Sequence, residues 1–312
     1  MRIEYHRTLI ADRVRNEAFH EALARVIEKG RTTVADIGAG TGLLGLMAAR
    51  LGAREVYLYE TAEVAGVAAA LLKDNRARSC LLMPCHSTEM QNPPRADVVV
   101  SETLGNYAFE ENIIDTMNDA RKRHLKSGGL VVPSRISQSV APVVTDRIHK
   151  ELCVWDEVGL GLDLSAARTM SLNNVYVRSI ATNELLDGMR SAREWDAVDL
   201  RCETRSTRKG EASWKLGSAV TVYGFAYWWT AELLPGLTLS TAPGAPKTHW
   251  EQLYFPLVAP IAARKGETVM ISLRSRSSEE RGTHLAWTSV HVDQAGKSLS
   301  KQAMDLDKGW LP

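Results

Sequence analysis

The chain has 312 residues, 45% of them hydrophobic and 24% charged, with 38 basic against 37 acidic side chains and a formal net charge of +1. That length has room for two domains and a sizeable core, and the balanced charge supplies no global basic field for nucleic acid. No apolar run approaches the roughly 18–20 residues that span a bilayer, and MRIEYHRTLIADR has neither the apolar stretch nor the cleavage site of a signal peptide, so a cytoplasmic protein with no membrane partner is expected.

The first 133 residues alternate helical and strand patterns, as a parallel, doubly wound α/β sheet requires. Residues 13–29 carry apolar side chains at helical spacing and end at Gly30; TVADI reads as a buried strand, GAGTG as a turn, and LLGLMAARLG as a helix stopped by Gly52. EVYLYE is the next strand, AEVAGVAAALLKDN a helix, and ADVVVSE another strand. ENIIDTMNDARKRHLK is helical again, with basic residues in its last turns where the dipole favours them. GGLVVPSR changes the character of the chain. From Ser134 to residue 312 short β-rich runs between turn residues predict a second, all-β domain, interrupted over about 155–192 by a helical or irregular insertion that suits a lid or an association arm. APGAPK reads as a loop. Cys80, Cys85, Cys153 and Cys202 lie too far apart for paired metal ligands, so reduced, mostly buried thiols and no metal site are expected.

VADIGAGTGLLG sets Gly38, Gly40 and Gly42 after a strand and before a helix, where backbone can approach a ligand and a helix N-terminus can face it. A dinucleotide site wants G-x-G-x-x-G and a positive niche for pyrophosphate; here the glycines alternate and Asp36 precedes them. An acid there suits a cationic ligand. Glu60, at the end of the next strand, can accept hydrogen bonds from both ribose hydroxyls. Together they fit S-adenosylmethionine, which carries a ribose and an ammonium group but no phosphate; a nicotinamide cofactor and a purely structural turn are the alternatives. Arg15 is a candidate partner for the methionyl carboxylate or else a solvated helix arginine. His86 and Ser87 follow the fourth apolar segment, where an adenine can be held.

SETLGNYAFEE places Glu102 at the mouth of a buried strand and Glu111 nine positions later. Glu111 as a helix cap and Glu102 in a surface ion pair is one reading. The other is a clamp for a planar cation. A guanidinium offers five N–H donors in a fixed fork, so two converging carboxylates hold it on two sides and leave one nitrogen facing a methyl donor. Those carboxylates would localise the cation away from the attacking nitrogen and stabilise charge as the methyl arrives. His249, in KTHWEQ, is either the imidazole that takes or relays the released proton or a packed core residue.

Taken together, these stretches resemble the protein arginine methyltransferase family. SETLGNYAFEENI resembles its double-glutamate loop, KTHW its threonine-histidine-tryptophan loop, VADIGAGTG with YLYE its cofactor motifs, HLKSGGLVVPSR its junction into a barrel domain, and HRTLIADRVR its helix H-x-x-M-L-x-D-x-x-R. The resemblance implies a Rossmann-like class I methyltransferase domain over 1–133 and a β-barrel-like domain over 134–312, with the 155–192 insertion as a dimerisation arm and hence a homodimer. It implies Glu102 and Glu111 on the guanidinium, His249 paired with an acid, Trp250 lining the pocket, and His6, Asp12, Arg15, Asp36, Gly38, Gly40 and Glu60 at the cofactor. Two methionines that line the family's pocket stand here as Leu9 and Leu104, a volume-conserving change, and of the family's tyrosine-rich leading helix Tyr5 is left as a counterpart. On this basis free L-arginine or a related small guanidine is favoured as methyl acceptor over a protein arginine, with a non-catalytic S-adenosylmethionine-binding dimer and a dehydrogenase as readings from other classes.

Overall fold

The computed structural model describes residues 3–308. After α1 (Ile3–Ala11) and α2 (Arg13–Val26) come β1 (Thr33–Ile37), α3 (Leu43–Arg50), β2 (Glu55–Tyr59), α4 (Ala65–Asp74), β3 (Cys80–Met83), β4 (Ala96–Ser101), α5 (Ile113–Arg123) and β5 (Leu125–Val132). The five strands form one parallel sheet in the order β3-β2-β1-β4-β5. β1 is buried at every position, as a strand covered on both faces must be. Asp36 is its one charged residue. α2 stops short of the expected Gly30, because Glu28 and Thr32 close a turn there: the Glu28 N–H donates to the Thr32 hydroxyl at 2.8 Å and the Thr32 N–H returns to the Glu28 carbonyl at 3.1 Å.

The second half is β-rich: β6 (Arg135–Val143), α6 (Arg147–Leu152), α7 (Ser165–Leu172), β7 (Tyr176–Arg178), β8 (Arg193–Asp199), β9 (Thr207–Lys215), β10 (Val220–Leu234), β11 (Leu237–Ser240), β12 (Gln252–Ala263), β13 (Thr268–Ser278), β14 (Gly282–Val292) and β15 (Ser298–Asp305). Its backbone pairs as two antiparallel sheets, β7-β12-β10-β6-β8 with β11 on β10, and β15-β14-β13-β9, in place of one hydrogen-bonded ring. Phe225, Tyr227, Trp229, Phe255 and Trp287 from these sheets share a continuous core with the parallel sheet. The helical insertion comprises α6, a short turn at Val154–Glu157 and α7, while Tyr176–Arg178, inside the expected 155–192 interval, pairs with β12 as an edge strand. Between and on these helices Val158, Leu160, Leu162 and Met170 are exposed. The four cysteines are unpaired; three are half-buried and Cys202 is exposed, so the thiols are less buried than their residue type suggested. Among the described residues no helix is long and apolar enough to cross a membrane.

α3 lies unusually close to the sheet, and one glycine permits it. A Cβ on Gly45 would stand 2.5 Å from a Leu58 methyl and 2.8 Å from its Cγ. The close approach also brings the Gly45 N–H to Asp36 at 2.9 Å. Glycine to alanine inside a helix ordinarily stabilises; here Gly45→Ala is expected to destabilise by about 1–3 kcal/mol through overpacking, read from the midpoint of a urea unfolding curve.

Candidate active site

Ligands of open parallel sheets sit beyond the carboxyl ends of the strands. There a cavity of about 260 Å³ opens over β1, β2 and β4, with α1 across it. Tyr5, His6, Leu9, Arg15, Asp36, Gly38, Gly40, Glu60, His86, Ser87, Glu102, Leu104 and Glu111 all line it. Asp12, His249 and Trp250 do not; they stand behind its wall.

The floor is built from β1, β2 and the glycine turn. Glu60 follows β2 and is held from both sides, one carboxylate oxygen accepting the Gly40 N–H at 2.7 Å and the other the Ala62 N–H at 2.8 Å. Gly38 and Gly40 have φ of 72° and 57°, a region that favours glycine. A Cβ on Gly38 would come within 2.6 Å of the Thr103 methyl, and one on Gly40 within 3.0 Å of the His6 ring, so side chains there would fill the cradle. Asp36 is 1% exposed. Burial pushes its carboxyl up to about 7, against the pull of the Gly45 N–H and the Arg15 charge. His6 Nε2, Tyr59 Oη and Ser87 Oγ, all buried and all on residues lining the cavity, have no hydrogen-bond partner among the described residues. Buried polar atoms are rarely left so, which marks the cavity as shaped for a ligand with polar edges. Its lining holds four carboxylates, from Asp36, Glu60, Glu102 and Glu111, and one guanidinium, from Arg15. That charge balance repels a pyrophosphate and accepts an adenosyl group carrying an ammonium.

Glu102 already has a guanidinium. Arg15 donates to it through Nε and one terminal nitrogen, with the two side chains 3% and 7% exposed, and its other terminal nitrogen donates to Asn16 at 2.8 Å. Burial raises the Glu102 carboxyl and Arg15, always charged, pulls it back, so the two form an ion pair. The sequence reading gave Arg15 to the cofactor carboxylate and Glu102 to the substrate alone; the structure joins them to each other.

After Glu102 the loop is fastened to the β-rich half at six consecutive residues. The Leu104 carbonyl accepts from Trp250 Nε1 at 2.9 Å and the Gly105 carbonyl from Trp229 Nε1 at 3.0 Å. The Asn106 side chain accepts the Glu251 N–H at 3.0 Å, and the Tyr107 hydroxyl donates to Ser275. The Ala108 N–H donates to the Tyr227 hydroxyl at 3.2 Å, and the Phe109 carbonyl accepts from Thr283 at 3.3 Å. Glu110, which the sequence reading passed over, folds back to accept the Tyr107 N–H at 3.1 Å. Glu111 is no cap: Asn112 occupies that position at φ 55° without a side-chain cap bond, leaving the Glu111 carboxyl to the cavity. One side of Glu111 remains open to solvent. Its carboxyl is pushed up to about 7, by burial first and then by Glu102 and Glu110.

His249 does pair with an acid, as the resemblance implies, but the pair it makes with Asp12 stands behind the cavity wall as a fastening. Its N–H donates to Asp12 at 2.7 Å, its Nδ1 meets the same oxygen at 2.7 Å, and its ring lies on Trp250. Asp12, expected at the cofactor, is consumed by these bonds and by the Arg15 N–H at 2.9 Å, which it accepts as N-cap of α2. Trp250, expected in the pocket wall, grips the loop from outside. Tyr59, Thr103 and Thr116 line the cavity unannounced: nothing distinguishes a tyrosine at the end of an apolar strand or a threonine inside a helix until the fold turns them inward.

A family model described as the arginine methyltransferase oligomerization subdomain matches residues 138–289, and one described as ribosomal protein L11 methyltransferase matches residues 20–158. Protein arginine N-methyltransferase 6 of Xenopus laevis is 30% identical over 299 residues, covering 91% of this chain and 86% of that protein. The chain belongs to the protein arginine N-methyltransferase family. Solved structures agree on the fold. The Trypanosoma brucei PRMT1 enzyme-prozyme heterotetrameric complex with AdoHcy matches with a TM-score of 0.84 at 21% identity, over 96% of this chain and 97% of that one. Arabidopsis thaliana protein arginine methyltransferase 10 matches with 0.80 at 22% identity, over 98% of each. In this chain the oligomerization-subdomain match runs from β6 into β14, the half that fastens the glutamate loop.

The Tyr227 hydroxyl also donates to Gln138 at 2.6 Å, so it serves two buried partners at once. Tyr227→Phe leaves the Ala108 N–H and the Gln138 oxygen unpaired and is expected to cost about 1–3 kcal/mol of stability by chemical denaturation, whereas an exposed tyrosine such as Tyr5 changed to phenylalanine should cost under about 0.5 kcal/mol.

Proposed function

We propose that this chain transfers a methyl group from S-adenosylmethionine to a guanidino nitrogen of an arginine in a protein. The observation that carries the reading is the convergence of Glu102 and Glu111 on the cavity that also presents Asp36 and Glu60. The sequence reading favoured free L-arginine; the Xenopus laevis relative is named for protein arginine, which supports the protein substrate instead.

Glu60 would hold the ribose hydroxyls, Asp36 the ammonium, and Tyr59 and Ser87 offer hydroxyls to the polar edge of the base. Arg15, the one guanidinium lining the cavity, gives three of its five N–H donors to Glu102 and Asn16 and has two left for the cofactor's carboxylate. When bound, S-adenosylmethionine supplies an electrophilic methyl on a sulfonium. Glu102 and Glu111 hold the substrate guanidinium on two sides and fix the nitrogen that is to be methylated, so positioning supplies much of the rate. A guanidinium with a pKa above about 12 is a poor nucleophile, and two flanking carboxylates draw its charge away from the free nitrogen. Glu111, with its carboxyl near 7, ionises when it meets the cation and can take back a proton as the product forms. We further infer a homodimer formed through the α6–α7 arm, whose exposed Val158, Leu160, Leu162 and Met170 are unlike a solvated surface.

Mass spectrometry of parallel reactions with labelled methyl donor tests the substrate: methyl gain on an arginine-rich peptide and none on free L-arginine is expected, and gain on free arginine alone would return the reading to a small-molecule enzyme. Glu102→Gln should lower turnover by about a hundredfold or more with S-adenosylhomocysteine still bound; unchanged turnover sinks the clamp.

The pH dependence has a definite sign. An ammonium ligand favours ionised Asp36, and the free carboxyl holds its proton below about 7, so S-adenosylhomocysteine affinity should rise about tenfold from pH 6 to pH 8. In Asp36→Asn that rise should vanish, as titration calorimetry at the two pH values would reveal.

A further inference from the structure

A second cavity, of about 460 Å³, lies on the far side of the parallel sheet from β3, between β5, the last turn of α5 and the end of β10. Leu130, 46% exposed on the edge strand, and Leu234 give it an apolar wall. Four cations line it, Arg95, Arg121, Lys126 and Arg201, and no carboxylate does. Two are neutralised from behind, Lys126 by Asp97 at 2.9 Å and Arg201 by Asp199 at 2.8 Å. The other two have no anionic hydrogen-bond partner among the described residues. Arg95 donates to the Leu125 and Lys122 carbonyls at 2.6 and 3.1 Å. Arg121 has Nε and one terminal nitrogen shut off from solvent with no acceptor, and Glu203, which feels its charge, bonds Lys122 at 2.9 Å instead.

Two ordinary explanations fall short. Cations at the last turn of a helix answer its dipole, which accounts for Arg95 on the Lys122 carbonyl at the end of α5 but not for Arg121, whose hidden donors reach none. A solvated arginine would keep its donors in water. What remains is a cavity of ligand size with an apolar wall and two uncompensated guanidinium groups, a combination that calls for an anionic head on an apolar body. We propose that this cavity binds a small amphiphilic anion, an acyl or aryl carboxylate or phosphate, whose head turns the Arg121 donors into the cavity while its body covers Leu130 and Leu234. The site is separate from the cavity over β1 and shares no lining residue with it.

Titration calorimetry of the full chain with sodium octanoate, octyl phosphate and inorganic phosphate tests this. At least one of the two octyl compounds should bind saturably with a dissociation constant below about 1 mM, the better of them identifying the head group, while inorganic phosphate alone binds at least about tenfold more weakly. Arg121→Gln and Arg95→Gln should each weaken the octyl compound by about tenfold or more, and Asp36→Ala should leave it unchanged. Absence of saturable binding by either compound, equal affinity in both arginine variants, or loss in Asp36→Ala with retention in Arg121→Gln each overturns the proposal. Thermal melts establish that the variants are folded, and should one of the arginine variants fail to fold the other decides.

Discussion

The geometry of the site depends on the hydrogen bonds that fasten residues 104–109 to the β-rich half. A loop leaving the end of a parallel strand is by default mobile, and a carboxylate on such a loop would wander in solvent. Here each of six successive residues meets a partner on β10, β13, β14 or the loop before β12. Singly such a bond contributes about 0.5–1.5 kcal/mol, but four of the six are buried and loss of one of those would leave a buried group unpaired, so the set specifies one loop conformation more strongly than it stabilises the fold. Glu102 and Glu111 bracket this stretch, and their separation is therefore set by the second half of the chain.

That constraint permits an electrostatic arrangement that would otherwise relax. Burial first, and the neighbouring carboxylates second, make Asp36 and Glu111 resist ionisation, so that both hold protons up to about 7. The Glu102 carboxyl is raised by burial too, and Arg15, lying against it, pulls it back only in part. The cavity is thus short of positive charge, and any cation that enters recovers part of what burial cost the acids. Perturbed carboxyls around a cleft are a mark of function when a specific charge accounts for them, and here the missing charge is that of a ligand.

The sequence made the core of the parallel sheet, the glycine turn and the acidic loop legible because each rests on local signals: three apolar runs for β1, β2 and β4, alternating glycines, and two glutamates after a strand; β3 and the start of β5, short or glycine-broken, gave no such run. Thirteen of the sixteen residues singled out do meet at one cavity. Asp12, His249 and Trp250 do not, because what separates lining a wall from supporting it is tertiary packing. The same limit hid Tyr227 and Trp229, which sit in a strand whose apolar run spells a buried β-strand and says nothing of where an indole N–H or a phenol donates. Glu110 was passed over because its neighbour fitted the clamp.

His249 and Trp250 are adjacent on one loop, yet they support opposite walls. Through Asp12, His249 fixes the start of α2, where the capped Arg15 N–H positions the guanidinium. Trp250 fixes the Leu104 carbonyl two residues from Glu102. The two partners of the buried ion pair are therefore held from a single dipeptide of the β-rich half, Asp12 and His249 being 237 residues apart in sequence. Contacts of that separation are among the last a chain closes, because loop entropy must be overcome before they form. The parallel sheet can assemble from local pairings, but the acidic site exists only once both halves have docked, and a fault in the 249–250 loop would loosen Arg15 and Glu102 together while leaving the sheet intact.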